Sequence, residues 1–110
     1  MASTHEKLVK QKVVKLLKAQ GVYYFSTMTH GFGRSGVPDI ICCIDGKFLG
    51  IECKAGSNKP TALQEKEMQA IRDAGGRAVV INEHNLTLLG DLLKEMVDEQ
   101  RSSNLTRENV

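Results

Sequence analysis

The feature that most constrains the fold is a pair of short apolar segments joined by Asp45-Gly46. The segments span residues 40–44 and 47–51, and an Asp-Gly pair between two such segments is a strong signal for a β-hairpin. Pro38 comes before the first segment and has no backbone N–H, which suits the start of a strand rather than its middle. The sequence therefore predicts an antiparallel hairpin whose first strand begins beside Asp39.

Three charged side chains are expected at one end of this hairpin. Asp39 precedes the first strand, and Glu52 and Lys54 end the second. Because strand side chains alternate between faces, Glu52 and Lys54 leave the same face and can meet Asp39. Two carboxylates suit a hard divalent cation, and an adjacent ammonium can neutralise charge on a phosphate. The pattern indicates a metal-dependent phosphodiesterase site, with a solvated surface cluster as the alternative interpretation.

Two predicted helices each bring a further polar residue to their inward face. Glu6 lies within the apolar arc of a helix that is predicted to end at Gly21, and Gln64 lies on the first turn of a later helix. Either side chain could reach the same site. Each also has capping-box spacing to a residue three positions earlier, Ser3 or Thr61, so closing its own helix start is the alternative role.

This set of residues resembles the PD-(D/E)XK nuclease superfamily, and more closely the virus-type replication-repair nuclease (VRR-Nuc) domain in its small stand-alone form. The residues that carry the resemblance are Glu6, Gly36-Val37-Pro38-Asp39, Glu52-Cys53-Lys54 and Gln64. It implies an α/β, restriction-endonuclease-like core of helix, three strands, helix and strand. A C-terminal helix is predicted to follow, from about Asn85 to Arg101. The nuclease domain is thus expected over residues 1–101, with a polar, disordered tail over 102–110.

The resemblance also implies a role for each residue of the site. The catalytic residues would be Glu6, Asp39, Glu52, Lys54 and Gln64. The metal ligands would be Asp39, Glu52, the backbone carbonyl of Cys53, and Glu6, and the metal would be Mg²⁺ or Mn²⁺. Lys54 would position the attacking water or stabilise the transition state, and Gln64 would help to orient the site.

Positive charge is concentrated in the part of the chain that contains this site. The net charge is +2, but the acidic residues outnumber the basic ones after residue 82. Such an asymmetry favours an anionic partner, and phosphates are the expected one. The residues predicted to contact DNA are Lys7, Arg34, Ser35 and Lys59. Lys10, Lys15 and Lys18 are placed with Lys7 on the outward face of the first helix, where a simply solvated surface is the alternative.

The predicted function is a metal-dependent DNA endonuclease that is selective for branched DNA such as Holliday junctions and acts as a homodimer. A restriction-like or nicking nuclease on linear duplex is one alternative, and a non-catalytic DNA-binding module is another. Metal titration would separate the module from the enzymes. The branched substrate follows from the resemblance alone.

The cellular setting is predicted from the apolar segments and the cysteines. No segment approaches the roughly 20 apolar residues of a membrane span, and the N-terminus lacks the apolar region of a signal peptide. We therefore expect no membrane partner and an intracellular, cytoplasmic location in a bacterial or phage-infected cell. Cys42, Cys43 and Cys53 show no zinc-ligand spacing and are predicted to be reduced and buried.

Overall fold

The computed structural model describes residues 4–27 and 34–108, and it describes side chains as far as residue 97. The elements in chain order are α1 (Thr4–Ala19), β1 (Tyr23–Ser26), β2 (Ile40–Ile44), β3 (Lys47–Cys53), α2 (Ala62–Asp73), β4 (Arg77–Ile81) and α3 (Leu86–Glu108). In the described part, the protein is therefore a mixed α/β fold with three helices and four strands. The order helix, three strands, helix and strand agrees with the order that the resemblance implies.

The four strands form one mixed sheet in the order β1-β2-β3-β4. β2 pairs antiparallel with β1 and β3, whereas β4 pairs parallel with β3 after the crossover through α2. The predicted hairpin is confirmed, since Ile44 pairs with Lys47 and both turn residues have positive φ, 49° at Asp45 and 86° at Gly46. This topology brings the end of β1, the start of β2 and the ends of β3 and β4 together. We call this end of the sheet the carboxyl end of β3.

Helices α1 and α3 cover one face of the sheet and form the main core with it. The buried residues of this core include Val9, Val13 and Leu17 of α1, Ile40 and Ile51 of the hairpin, and Leu89, Leu93 and Met96 of α3. Spacings of three and four residues place the members of each helix on one face. Residues 49, 51 and 53 of β3 point into this core, so residues 50, 52 and 54 point to the opposite face.

The cysteines follow this division between the faces. Cys42 and Cys53 are buried in the core, and burial raises the pKa of each thiol to about 12. Cys43 lies on the other face and is exposed. The prediction of a buried residue was therefore wrong for Cys43, because a continuous apolar run in a strand still alternates between two faces, and here only one of them is fully covered.

Helix α2 packs on the opposite face so closely that Gly50 has no room for a side chain. A Cβ at Gly50 would lie 2.8 Å from Pro38 Cγ and 3.1 Å from Ile71 Cδ1. We expect Gly50→Ala to lower the free energy of unfolding by about 1–3 kcal/mol, the usual cost of overpacking. Urea denaturation measures this loss.

Gly90 of α3 is the matched control for this substitution. A Cβ there meets no described atom within 4 Å, so Gly90→Ala should raise the stability by up to about 1 kcal/mol through helix propensity. Equal effects of the two substitutions would contradict the close packing of Gly50.

The last helix differs from its predicted bounds. α3 is helical from Leu86 to Glu108 and so continues beyond Arg101. The division into a domain over residues 1–101 and a tail over 102–110 stays a prediction. Among the described helices, none combines the length and the apolar character that crossing a membrane would need.

Candidate active site

Asp39 is held at the carboxyl end of β3 by hydrogen bonds to both neighbouring strands. The backbone N–H of Cys53 donates to Asp39 Oδ2 at 2.8 Å. The backbone N–H of Thr27, just after β1, donates to the Asp39 carbonyl oxygen at 2.9 Å. The start of β2 is thereby fixed between β1 and β3, and one oxygen of the carboxylate has a defined position.

Glu52 and Lys54 leave the same face of β3, as the strand alternation predicts. Glu52 is only 2 % exposed and Lys54 is 9 % exposed, and Lys54 Nζ lies 3.5 Å from Glu52 Oε2. The backbone N–H of Lys54 donates to the carbonyl oxygen of Ile81 at 3.0 Å, which keeps the chain on β4 beyond the end of β3. The alternative interpretation, a solvated surface cluster, is therefore wrong for Glu52 and Lys54, because both side chains are buried.

The positive charge near Glu52 is too small to offset the burial of its carboxylate and the negative charges around it. Burial is the main cause that raises the pKa of Glu52 from 4.5 to about 7, and the negative charge of Asp39 is the next. Glu6 adds to the rise, whereas Lys54 opposes it. Within the described residues, the buried Glu52 Oε1 has no hydrogen-bond partner. An unsatisfied buried oxygen is costly, so this atom is suited to a bound cation.

The donor set fits a hard divalent cation. Asp39 and Glu52 supply carboxylate oxygens and Cys53 can supply a carbonyl oxygen, and Mg²⁺ is commonly held by one or two carboxylates together with water and substrate. Among the described side chains, those of residues 4–27 and 34–97, no group of three or more His, Cys, Asp or Glu could hold a metal ion together. Glu6 is therefore near enough to influence Glu52 but does not complete a three-carboxylate group, and its role as a ligand stays a prediction.

Gln64 takes the alternative role that its spacing allows. Its Oε1 accepts from the Thr61 backbone N–H at 2.8 Å, and Thr61 Oγ1 accepts from the Gln64 backbone N–H at 3.2 Å. This capping box fixes the start of α2. A further role of Gln64 in the site stays a prediction. The corresponding bond between Glu6 and Ser3 lies outside the described residues.

The residues predicted to contact DNA lie on the surface of the protein. Arg34 Nη2 lies 2.8 Å from Glu67 Oε2 of α2, with the arginine side chain 74 % exposed. It lines a cavity of about 330 Å³ together with Phe48 and Gly76, which belong to the opposite end of the sheet. Lys7, Ser35 and Lys59 are exposed. Their contacts with DNA stay predictions, and residues 28–33 of the glycine-rich loop lie outside the described part.

Lys10 differs from the prediction in its position on α1. It is half-buried rather than on the outward face of α1, and its Nζ lies 2.7 Å from Ser26 Oγ at the end of β1. The signal was present: at 100° per residue, Lys10 falls beside Leu17 at the border of the apolar arc, one turn after Glu6. A lysine at such a border can lean over the core edge and bring its ammonium to the end of the sheet.

Comparison with known proteins gives one informative similarity. No family model matches the chain. A protein of Acyrthosiphon pisum secondary endosymbiont phage 1, named "putative nuclease p44", is 30% identical to it over 83 residues. The similar region covers 74% of this chain and 86% of the phage protein.

Proposed function

Because the chain belongs to the family of the phage protein putative nuclease p44, we propose that it is a nuclease and that it hydrolyses phosphodiester bonds of DNA with the help of Mg²⁺ or Mn²⁺. The observation that carries this proposal is the buried Glu52 carboxylate, whose Oε1 is unsatisfied and which interacts electrostatically with Asp39 and Lys54. The neighbouring lysine does not offset the negative charge of the two carboxylates. Such an arrangement fits a metal-assisted hydrolytic site better than a structural ion pair.

The same observations support placing the chain in the PD-(D/E)XK superfamily as a small VRR-Nuc domain. The order of elements fits a restriction-endonuclease-like core, with Asp39 just before the second strand and Glu52 near the end of the third. The motif residues Asp39, Glu52 and Lys54 come together across one hairpin, as that assignment requires.

Each residue of the site has a separable task in the proposed reaction. Asp39, Glu52 and the Cys53 carbonyl would hold the cation, which when bound polarises a phosphoryl oxygen and lowers the pKa of a bound water. The Cys53 N–H orients the Asp39 carboxylate through the 2.8 Å bond to Oδ2. Lys54 holds an ammonium beside Glu52, where it can orient a water or bind the charge that develops on the phosphate. Burial of both side chains strengthens these interactions by excluding solvent.

The finer part of the proposal concerns the DNA. We propose selectivity for branched DNA, including four-way structures of the Holliday-junction type, cut by a homodimer. The resemblance to stand-alone VRR-Nuc domains supports the substrate. The pair Asp39 and Glu52 gives one acidic site per chain, so paired cuts in two strands need two chains, most simply related by a two-fold axis.

A substrate panel tests the function directly. Purified protein is incubated with linear, flapped and four-way DNA in Mg²⁺, in Mn²⁺ and in EDTA, beside an Asp39→Asn variant. We expect metal-dependent cleavage that the variant has lost, and symmetric cuts in the four-way DNA. No cleavage under any condition, or full activity of the variant, would contradict the nuclease proposal. Faster cleavage of linear duplex than of four-way DNA would replace the branched substrate by the linear one.

A further inference from the structure

We propose that Lys10 and Ser26 form a phosphate-binding pair that holds a DNA backbone phosphate next to the one that is cut. The pair lies outside the acidic cluster and has no place in the mechanism described above. It rests on the proposed function only in that the phosphate is taken to belong to DNA.

The position of the pair is set by two elements that meet at the carboxyl end of β3. Ser26 is the last residue of β1 and pairs with Ile40, which directly follows Asp39. Lys10 lies one turn after Glu6 on α1 and reaches Ser26 Oγ at 2.7 Å. The ammonium is thus placed by a helix and a strand that both border the acidic cluster, rather than by a loop.

The charge of Lys10 lies at this end of the sheet, because its Nζ is 2.7 Å from Ser26 Oγ and Ser26 pairs with Ile40. Across the described residues, no carboxylate lies within ion-pair distance of Lys10. Its partner in the described structure is a neutral hydroxyl, which leaves the ammonium without a counter-ion. An anion is the ligand that such a group favours.

The hydrogen-bond capacity of the pair fits a phosphate. An ammonium has three N–H donors and the bond to Ser26 uses one of them, so two remain. The Ser26 hydroxyl accepts that bond and keeps its own O–H to donate. Together the two neighbouring side chains offer donors of two kinds, and a phosphate has the oxygens to accept them.

The pair and Lys54 lie on opposite faces of the sheet. Lys10 comes from α1, which covers the face that carries Ile40 and Ile51, whereas Lys54 leaves the face of Glu52. The two ammonium groups therefore lie on opposite faces at this end of the sheet. A DNA strand that crosses this end can place one phosphate at the acidic pair beside Lys54 and another at Lys10.

Metal-free DNA binding tests the pair without relying on cleavage. The affinity for a labelled duplex and a labelled four-way DNA is measured in EDTA by fluorescence anisotropy, at salt concentrations from about 50 to 200 mM. Lys10→Gln should weaken binding about tenfold and reduce the slope of log K against log salt by about one. Lys66→Gln, which removes an exposed lysine of α2, should change the affinity less than twofold.

Two further variants separate charge from fold. Lys10→Arg should restore most of the affinity, and Ser26→Ala should weaken binding a few-fold while leaving the salt slope unchanged. Thermal melting confirms that each variant is folded. Replacing single phosphates by neutral methylphosphonates should reveal one position at which Lys10→Gln causes no further loss, since the contact is then already absent.

The outcomes distinguish this pair from the nuclease proposal. If the protein cleaves DNA but Lys10→Gln binds as Lys66→Gln does, the phosphate pair is wrong and the nuclease stands. If no DNA is cleaved but Lys10→Gln alone loses affinity and salt slope, the nuclease is wrong and the phosphate pair stands. A loss that Lys10→Arg does not restore in folded protein would also overturn the pair.

Discussion

Glu52→Gln is expected to stabilise the metal-free protein at pH 8 while it removes the proposed metal binding. Burial and the Asp39 charge raise the pKa of Glu52 to about 7 in the folded state, from 4.5. At pH 8 the carboxylate is charged in both the folded and the unfolded protein. Only in the folded protein does this charge cost free energy, because there it is buried and lies near Asp39. That cost is at most about 3 kcal/mol. The favourable contact with Lys54 is already included in this pKa, so a net gain of about 1–3 kcal/mol is expected.

The pH dependence has a defined sign. A folded-state pKa above the unfolded value means that the folded protein keeps a proton between about pH 4.5 and pH 7 that the unfolded protein has released. The contribution of Glu52 to the free energy of unfolding is therefore fully present below pH 4.5 and is lost as the pH rises to about 7. The advantage of Glu52→Gln over the wild type should therefore appear between pH 5 and pH 8, not at pH 4.

Urea denaturation in EDTA at pH 4, 5 and 8 measures this difference. Glu95→Gln is the control, because Glu95 is an exposed carboxylate in a surface ion pair with Arg77 and its loss should cost less than about 1 kcal/mol. Adding Mn²⁺ at pH 8 should raise the unfolding midpoint of the wild type and leave that of Glu52→Gln unchanged. A variant that is less stable than the wild type at pH 8 in EDTA would show that Glu52 is not under electrostatic strain.

Lys54→Met is expected to lower the rate of the chemical step by about 10²–10³, the usual effect of removing one stabilising donor from a preorganised site. Methionine preserves the length and the apolar stem of the side chain but lacks the ammonium, which lies 3.5 Å from Glu52 Oε2 in the wild type. The proposed cation ligands are retained in this variant. The loss should therefore fall on the rate and not on metal binding.

Single-turnover cleavage and Mn²⁺-induced thermal stabilisation are the two measurements for Lys54→Met. The variant should lose the first and keep the second, whereas Asp39→Asn should lose both. Lys66→Met, at an exposed position of α2, should retain full activity. If Lys54→Met cleaves within threefold of the wild-type rate, the ammonium has no part in the chemistry.

Local signals in the sequence predicted much of the fold because they depend on residues close together in the chain. The Asp45-Gly46 turn requires two positive φ angles, and the residue pair itself favours them. The capping box of Thr61 and Gln64 closes within four residues. Strand alternation placed Glu52 and Lys54 together without knowledge of any partner.

Features that depend on packing between distant elements could not be predicted in the same way. Arg34 lies against Glu67 across 33 positions of the chain, and neither residue carries a local signal of the other. Alternation gave the face of Glu52 but not its burial, because burial depends on how closely the rest of the fold surrounds that face. For the same reason, the unsatisfied Oε1 became visible only in the folded arrangement.

The exposure of Cys43 has a practical consequence. Its thiol is open to solvent, whereas those of Cys42 and Cys53 are buried and have pKa values raised to about 12, which makes them slow to react with maleimides. Cys43 lies four residues along β2 from Asp39, about 13 Å away. A fluorophore or spin label can therefore be attached to the unmutated chain at a known point of the sheet, where it can report on DNA docking without occupying the acidic cluster.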